Sequence, residues 1–351
     1  MKKKTVLRIT GGILGLILVI GIIVLGYVNS KLDKIQYDDG NREIDTTTEY
    51  PDDDALDISS LPTAPPDTQG SGADVSEFEA LVTDDVFNIL FLGTDERTPE
   101  FNENARADSI MVVSINRKEH TIKLASIERG IGVPVPGRND DLITHTFRYG
   151  GAQLTLSTVQ QCFDLDVDRY VRINFNMFIQ AIDAIGGIDI DLTQLEADGL
   201  NGKVYTNATV KIPVCAGRNH LDGYSALQYC RLRYIDSDWQ RIERQRKTIR
   251  AVVDKLKTLS LSEVDHLANT ILPLIQTNLE KKEIAGLMLE VPAFLQSDIR
   301  MSDMTIPVKG TYWGHTGVDG RNMFGVDFKE NARILREFFY AAQSEENETV
   351  S

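Results

Sequence analysis

The stretch Tyr170-Val171-Arg172-Ile173-Asn174-Phe175-Asn176-Met177-Phe178-Ile179-Gln180-Ala181-Ile182-Asp183-Ala184-Ile185-Gly186-Gly187-Ile188-Asp189-Ile190-Asp191-Leu192 sets the fold class. Residues 170–174 read as a strand and 175–185 as a helix; Gly186-Gly187 ends that helix, and 188–192 alternate again as a strand. Strand, helix and strand in that order argue for an α/β sheet with helices on its faces. Upstream, 87–93 reads as a short buried strand, apolar except at Asn88. Residues 108–115 and 121–127 form a hairpin around the polar turn Asn116-Arg117-Lys118-Glu119. Gly150-Gly151 precedes an amphipathic helix to Phe163, and His220-Leu221-Asp222-Gly223 opens another. Further helices are expected over 245–259, 261–276, 281–290 and 328–339, with late strands near 299–308. The expected fold is α/β: a three-layer αβα arrangement with a central mixed sheet, preceded by a single N-terminal transmembrane helix.

The chain has 351 residues and a formal net charge of −15. Lys2, Lys3, Lys4 and Arg8 precede an uncharged apolar run over 10–28, long enough to cross a hydrocarbon core. The basic flank keeps residues 1–9 cytoplasmic and puts the bulk of the chain outside the cell membrane. Asn29-Ser30-Lys31-Leu32 gives no small-residue cleavage pattern, which favours an uncleaved anchor over a signal peptide. Residues 29–85 are rich in Asp, Thr, Pro, Ser and Gly and are expected to form an acidic disordered linker. That leaves a catalytic-sized domain over 86–340 and a frayed tail over 341–351.

Cys162, Cys215 and Cys230 show no CxxC spacing, and the five histidines form no metal-ligand pair. Buried free thiols are the simpler expectation for the cysteines; a Cys215–Cys230 bridge is the alternative on the outer side of a membrane.

Tyr229-Cys230-Arg231-Leu232-Arg233-Tyr234-Ile235-Asp236-Ser237-Asp238-Trp239-Gln240-Arg241-Ile242-Glu243-Arg244-Gln245 gathers four arginines in an acidic chain. Read as a strand, 229–234 places Arg231 and Arg233 on one face. A helix from near Asp238 places Arg241 and Gln245 one turn apart on one stripe. Guanidinium forks converging in this way suit a polyanion, because they bind phosphate oxygens bidentately and stay charged. Asp95 (in Gly93-Thr94-Asp95-Glu96-Arg97) and Asp108 (in Arg106-Ala107-Asp108-Ser109) lie at strand ends. Two carboxylates with substrate phosphates is a common way to hold Mg²⁺. Arg129, at the end of the hairpin, can neutralise phosphate charge in a transition state. Plain readings exist for each: a turn at Asp95, a strand cap at Asp108, a solvated helix face at Arg241 and Arg244, an edge strand guarded by Arg231 and Arg233. The residues by themselves support a membrane-anchored domain that binds a polyanion, phosphoryl transfer being one possibility among several.

From residue 87 to 340 the domain resembles the LytR-CpsA-Psr family of bacterial cell-wall enzymes. The matching stretches are 88–95, 106–115, 126–129 and 149–151, then Asn174-Phe175, 183–189, 220–223, 226–233 and 238–245. The resemblance implies a phosphotransferase that takes a glycopolymer, of teichoic acid or capsular polysaccharide type, from a polyprenyl diphosphate carrier. The polymer is joined through a phosphodiester to peptidoglycan, typically the 6-hydroxyl of N-acetylmuramic acid, and polyprenyl phosphate is released. By motif, Arg106, Arg129, Arg231, Arg233, Arg241 and Gln245 would bind the diphosphate. Asp95 and Asp108 would assist through Mg²⁺, apolar walls between sheet and helices would hold the polyprenyl tail, and Arg129, Asp95 and Asp108 would be the catalytic residues. The chain departs from the family where Glu128 and Gly130 replace the usual Pro and Asp around the hairpin arginine, and near Thr144, where an Asn is usual before Tyr149-Gly150-Gly151. The Glu128 and Gly130 departures motivate a second reading, a non-catalytic polyprenyl-phosphate- or wall-binding module that regulates envelope assembly. A nucleic-acid partner is not expected, since the domain is acidic and the basic cluster too small for a duplex.

Overall fold

The structure is a computed structural model that describes residues 29–48, 56–64, 86–96, 101–102, 104–204, 211–295 and 297–340. The cytoplasmic tail and transmembrane helix expected over 1–28, Arg97, and the tail 341–351 lie outside the described residues. No helix among the described residues is long and apolar enough to cross a membrane.

In chain order the strands are β1 (Gln36–Tyr37), β2 (Val86–Thr94), β3 (Ala107–Asn116), β4 (Thr121–Ile127), β5 (Gly132–Val133), β6 (Asp141–Leu142), β7 (Arg169–Asn174), β8 (Ile188–Leu192), β9 (Gly217–Leu221), β10 (Gln276–Thr277), β11 (Arg300–Ile306), β12 (Tyr312–Thr316) and β13 (Asn322–Val326). The helices are α1 (Ile143–Phe163), α2 (Phe175–Ala184), α3 (Gln194–Leu200), α4 (Gly223–Arg231), α5 (Asp238–Leu256), α6 (Leu261–Ile271), α7 (Lys281–Leu295) and α8 (Phe328–Tyr340). Seven strands form one mixed sheet in the order β1-β10-β7-β2-β3-β4-β11. Within it β2–β7, β4–β11 and β1–β10 run parallel, and the other pairs antiparallel.

Period-two alternation builds the layers. Leu90, Leu92 and Tyr170 point to one face and pack with Phe147, Val159 and Phe163 of α1 and with Leu335 and Phe339 of α8. Ile89 and Val171 point to the other face and meet Leu272 and Ile284 beside α6 and on α7. A separate core joins α2, α3, α4 and the β8–β9 ribbon through Ile182, Ile190, Leu200, Ala226 and Tyr229. The architecture is a three-layer α/β fold with a central mixed sheet.

Three expectations are corrected and one hairpin is added. Residues 188–192 do form a strand, but β8 pairs with β9 outside the central sheet. Ile188, Ile190 and Leu192 are buried while Asp189 and Asp191 are exposed, a half-buried pattern that suits a ribbon. Residues 229–231 are the end of α4, not a strand: Ala226, Tyr229 and Cys230 are buried at helical spacing, and Asp222 Oδ1 caps the helix by accepting from Ser225 N at 2.8 Å. Residues 29–48 and 56–64 do not stand off as a linker. Lys31 Nζ donates to Asp265 Oδ1 at 2.6 Å, and Leu32 and Ile35 enter the α6–α7 core. β1 adds a sheet edge, while Leu56 and Leu61 pack on the main core. Four apolar side chains anchor a stretch whose average composition is that of a spacer. Last, the hairpin β12–β13 occupies a stretch left unassigned from sequence.

Candidate phosphate-binding site

The ends of β2, β4, β7 and β11 and the start of β3 share one edge of the sheet. Loops at such an edge collect ligands in α/β folds. Asp95 leaves β2 there and is fixed by Arg106, whose backbone N donates to Oδ1 at 2.9 Å and whose Nε and Nη2 donate to Oδ2 at 3.2 Å. Asp108 opens β3, and Arg129 lies two residues past β4. Arg129 Nη1 donates to Asp108 Oδ1, and Nε to Asp238 Oδ2, each at 3.4 Å.

Asp238 starts α5, where a carboxylate also complements the helix dipole, and Ser237 caps that helix. One turn on, Arg241 Nη1 reaches Asp238 Oδ1 at 3.4 Å. One further turn on, Gln245 Oε1 accepts from Ser109 Oγ at 3.2 Å. The 238/241/245 stripe of α5 thus faces the strand ends, as the helical spacing predicts.

Charge is crowded here. Arg129 and Arg241 are both buried, at 6% and 5% exposure. Burial lowers the pKa of Arg241, and the neighbouring Arg129 charge lowers it further. For Asp238 burial acts upward, but Arg241, Arg129 and Arg233 overcome it and hold the carboxyl below its ordinary range. Behind them Glu128 is fully enclosed; burial and then the Asp238 charge push its pKa up, against Arg241 and Arg129. Among the described residues the buried Glu128 Oε2 and Arg241 Nε have no hydrogen-bond partner. Two desolvated guanidiniums and an orphaned N–H favour an anion with several oxygens.

The other expected arginines arrive differently. Arg231 ends α4 with its guanidinium 4.3 Å over the Phe175 ring, just after Asn174, whose β2 neighbour is Thr94. Arg233 lies in the loop after α4, 5.9 Å from the centre of the Tyr234 ring, and reaches Asp238 electrostatically. The strand that was to align these two does not exist; a helix end and a loop bring them. Arg244 is structural: it grips Asp236 through Nη1 at 2.7 Å and Nη2 at 2.8 Å, and Leu232 O at 2.9 Å. Asp238 is the residue that sequence reading missed, although it was placed at the helix start; its role depends on Arg129 being across from it.

The departures around Arg129 have local causes. A Cβ at Gly130 would meet the Phe324 ring at 3.1 Å, so the β12–β13 hairpin occupies that space. Thr144 Oγ1 donates to Ala107 O at 2.8 Å, and Thr144 N to Arg129 O at 3.3 Å, tying the two strand ends together. The three cysteines are free, with Cys162 and Cys230 buried and Cys215 exposed.

Asp95 and Asp108 are each partly accessible, at 24% and 29% side-chain exposure. As hard oxygen donors they could hold a divalent cation that keeps water and takes phosphate oxygens. No set of three acidic, His or Cys ligands occurs among the described residues, so an all-protein cage is not formed there.

The model of the LytR_cpsA_psr family matches residues 60–338. The chain belongs to the LytR_cpsA_psr family. It is 35% identical over 206 residues to the polyisoprenyl-teichoic acid–peptidoglycan teichoic acid transferase TagT of Bacillus subtilis, covering 58% of this chain and 63% of that relative. It is 30% identical over 237 residues to the corresponding transferase TagU of Bacillus cereus, covering 66% and 71%. The first of these matches thus spans less than two thirds of the relative's length. Among solved structures, TagT bound to LIIa-WTA is similar at a TM-score of 0.58 and 28% identity, covering 73% of this chain and 91% of that one. TagT with bound octaprenyl pyrophosphate lipid is similar at a TM-score of 0.55 and 26% identity, covering the same 73% and 91%.

Proposed function

We propose that this LytR_cpsA_psr domain is a phosphotransferase. It moves a glycopolymer, of teichoic acid or capsular polysaccharide type, from a polyprenyl diphosphate carrier to a hydroxyl of peptidoglycan. One observation carries the reading: Arg129 and Arg241, both buried, converge with Asp108 and Asp238 at the ligand-gathering edge of the sheet. The similarity to transferases and to a chain with bound octaprenyl pyrophosphate supports it.

In the reaction, the acceptor oxygen attacks the phosphorus that bears the glycopolymer, the bond from that phosphorus to the bridging oxygen breaks, and polyprenyl phosphate leaves. Such a step needs positioning and charge neutralisation more than a strong nucleophile. Arg129 and Arg241 would take the non-bridging oxygens, with Arg231 and Arg233 at the rim and Arg106 orienting Asp95. Gln245, held by Ser109, would fix one further oxygen. Asp95 and Asp108 would hold Mg²⁺, which when bound adds charge neutralisation at the diphosphate; either carboxylate can accept the acceptor proton. Apolar walls between the sheet and the helices, where Phe91 and Ile173 stay only partly buried, would take the polyprenyl tail.

Residues 10–28 would anchor the chain in the cell membrane, with residues 1–9 cytoplasmic and the domain outside. Because residues 29–37 pack directly on α6, α7 and β10, the domain would sit close to the bilayer that holds its donor. Full-length protein in detergent, given a polyprenyl diphosphate-linked glycopolymer, peptidoglycan and Mg²⁺, should release polyprenyl phosphate. Tight donor binding with no release under any divalent cation would instead make the protein a binding module.

A further inference from the structure

The β12–β13 hairpin carries an aromatic cleft of about 440 Å³ that the diphosphate chemistry leaves unused. Thr63, Lys309, Thr311, Tyr312, Trp313 and Asp327 line it. Trp313 pairs across the ribbon with Gly325, where a Cβ would fall 2.1 Å from the indole nitrogen. The indole therefore lies against bare backbone, which makes it a supported platform. Aromatic rings rimmed by hydroxyl, ammonium and carboxylate groups suit a pyranose, whose C–H face stacks while its hydroxyls reach the rim.

The hairpin that carries the cleft reaches the phosphate site. The Tyr312 ring packs 5.5 Å from Trp239, and Trp239 follows Asp238, the carboxylate shared by Arg129 and Arg241. Phe324 of the same hairpin covers Gly130, and its backbone N donates to Gly130 O at 2.8 Å. Position identifies which sugar enters. Phe91 and Ile173, partly buried apolar side chains suited to the lipid, lie on β2 and β7, whereas the hairpin docks by Gly130, just past the end of β4. In-line displacement needs the attacking and leaving oxygens on opposite sides of the phosphorus. A lipid leaving on the β7 flank requires an acceptor arriving on the β4 flank.

We propose that this cleft is the acceptor subsite and that it takes the glycan strand of peptidoglycan. The proposal rests on the phosphotransferase reading. Exposed Lys309 at its rim would attract the carboxylates carried by the muramyl units.

The test uses full-length protein in detergent with un-cross-linked peptidoglycan glycan strands as acceptor. Trp313→Ala should raise the acceptor KM about tenfold, a change of the size expected for one stacking contact, and leave the donor KM unchanged. Trp313→Phe should restore most of the affinity, and Lys309→Ala should raise the acceptor KM by a smaller factor. These two variants decide the matter if the alanine change disturbs the hairpin. An unchanged acceptor KM in these variants overturns the proposal. A raised donor KM with an unchanged acceptor KM also overturns it, and assigns the cleft to the donor's glycopolymer. If the wild type forms no phosphodiester at all, the phosphotransferase reading fails separately. The cleft is then judged by calorimetric titration with the same strands: saturable binding weakened in Trp313→Ala supports it, and no binding overturns it.

Discussion

Arg129 is held by Asp108 on β3 and Asp238 on α5, and each hold is long, at 3.4 Å. Contacts of that length are weak, so phosphate oxygens can compete for the fork. Glu128 beside it is the most constrained acid of the site. Its pKa is raised above the ordinary 4.5 by burial and by Asp238. A group raised on folding stabilises the fold below its unfolded pKa, and that contribution is lost as pH climbs through the folded value. Urea midpoints should therefore fall for the wild type, relative to Glu128→Gln, as pH rises from about 4.5. Parallel midpoints for the two proteins would show that Glu128 titrates normally. The sequence displayed Arg129, Asp95, Asp108 and Arg241 as candidates because their residue types and strand-end or stripe positions are local. It could not display Asp238 as their shared counter-ion, since that depends on a contact 109 residues apart.

At the scale of elements, α5 organises the site. Its Asp238, Arg241 and Gln245 face the strand ends, while Arg244 turns inward at 1% exposure and clamps the loop that carries Arg233. Removing one partner of a buried ion pair costs about 3–5 kcal/mol. Arg244→Ala should lose about that much stability in urea unfolding, and Arg244→Lys should recover only part, because one ammonium cannot span Asp236 and Leu232 O as the fork does. A loss below about 1 kcal/mol would return the pair to the class of surface bridges. The periods of α5, β3 and β4 were legible because long, regular segments state their own pattern. The end of α4 was misread because Arg231 and Arg233 alternate over too few residues to outweigh the helical spacing of Ala226, Tyr229 and Cys230. β1 and β10, of two residues each, carry no periodic signal and exist through pairing alone.

For the molecule as a whole, the three-layer frame sets an apolar core beside β2 and β7, a cationic sheet edge and an aromatic cleft across the domain. Residues 29–37 bind back onto that frame, which composition alone conceals. With the span proposed over 10–28, the cationic edge would lie within reach of a carrier whose tail stays in the bilayer. The proposed transfer rests on the two buried arginines acting on a diphosphate. The most direct measurement is phosphodiester formation on peptidoglycan glycan strands from a polyprenyl diphosphate-linked glycopolymer, compared between wild type and Arg129→Ala at saturating donor. Loss of one preorganised donor to a developing charge costs about 10²–10³-fold in kcat, and a fall of that order, with folding intact, is the predicted result. Wild-type turnover in Arg129→Ala, or in Arg129→Ala combined with Arg241→Ala, would contradict it.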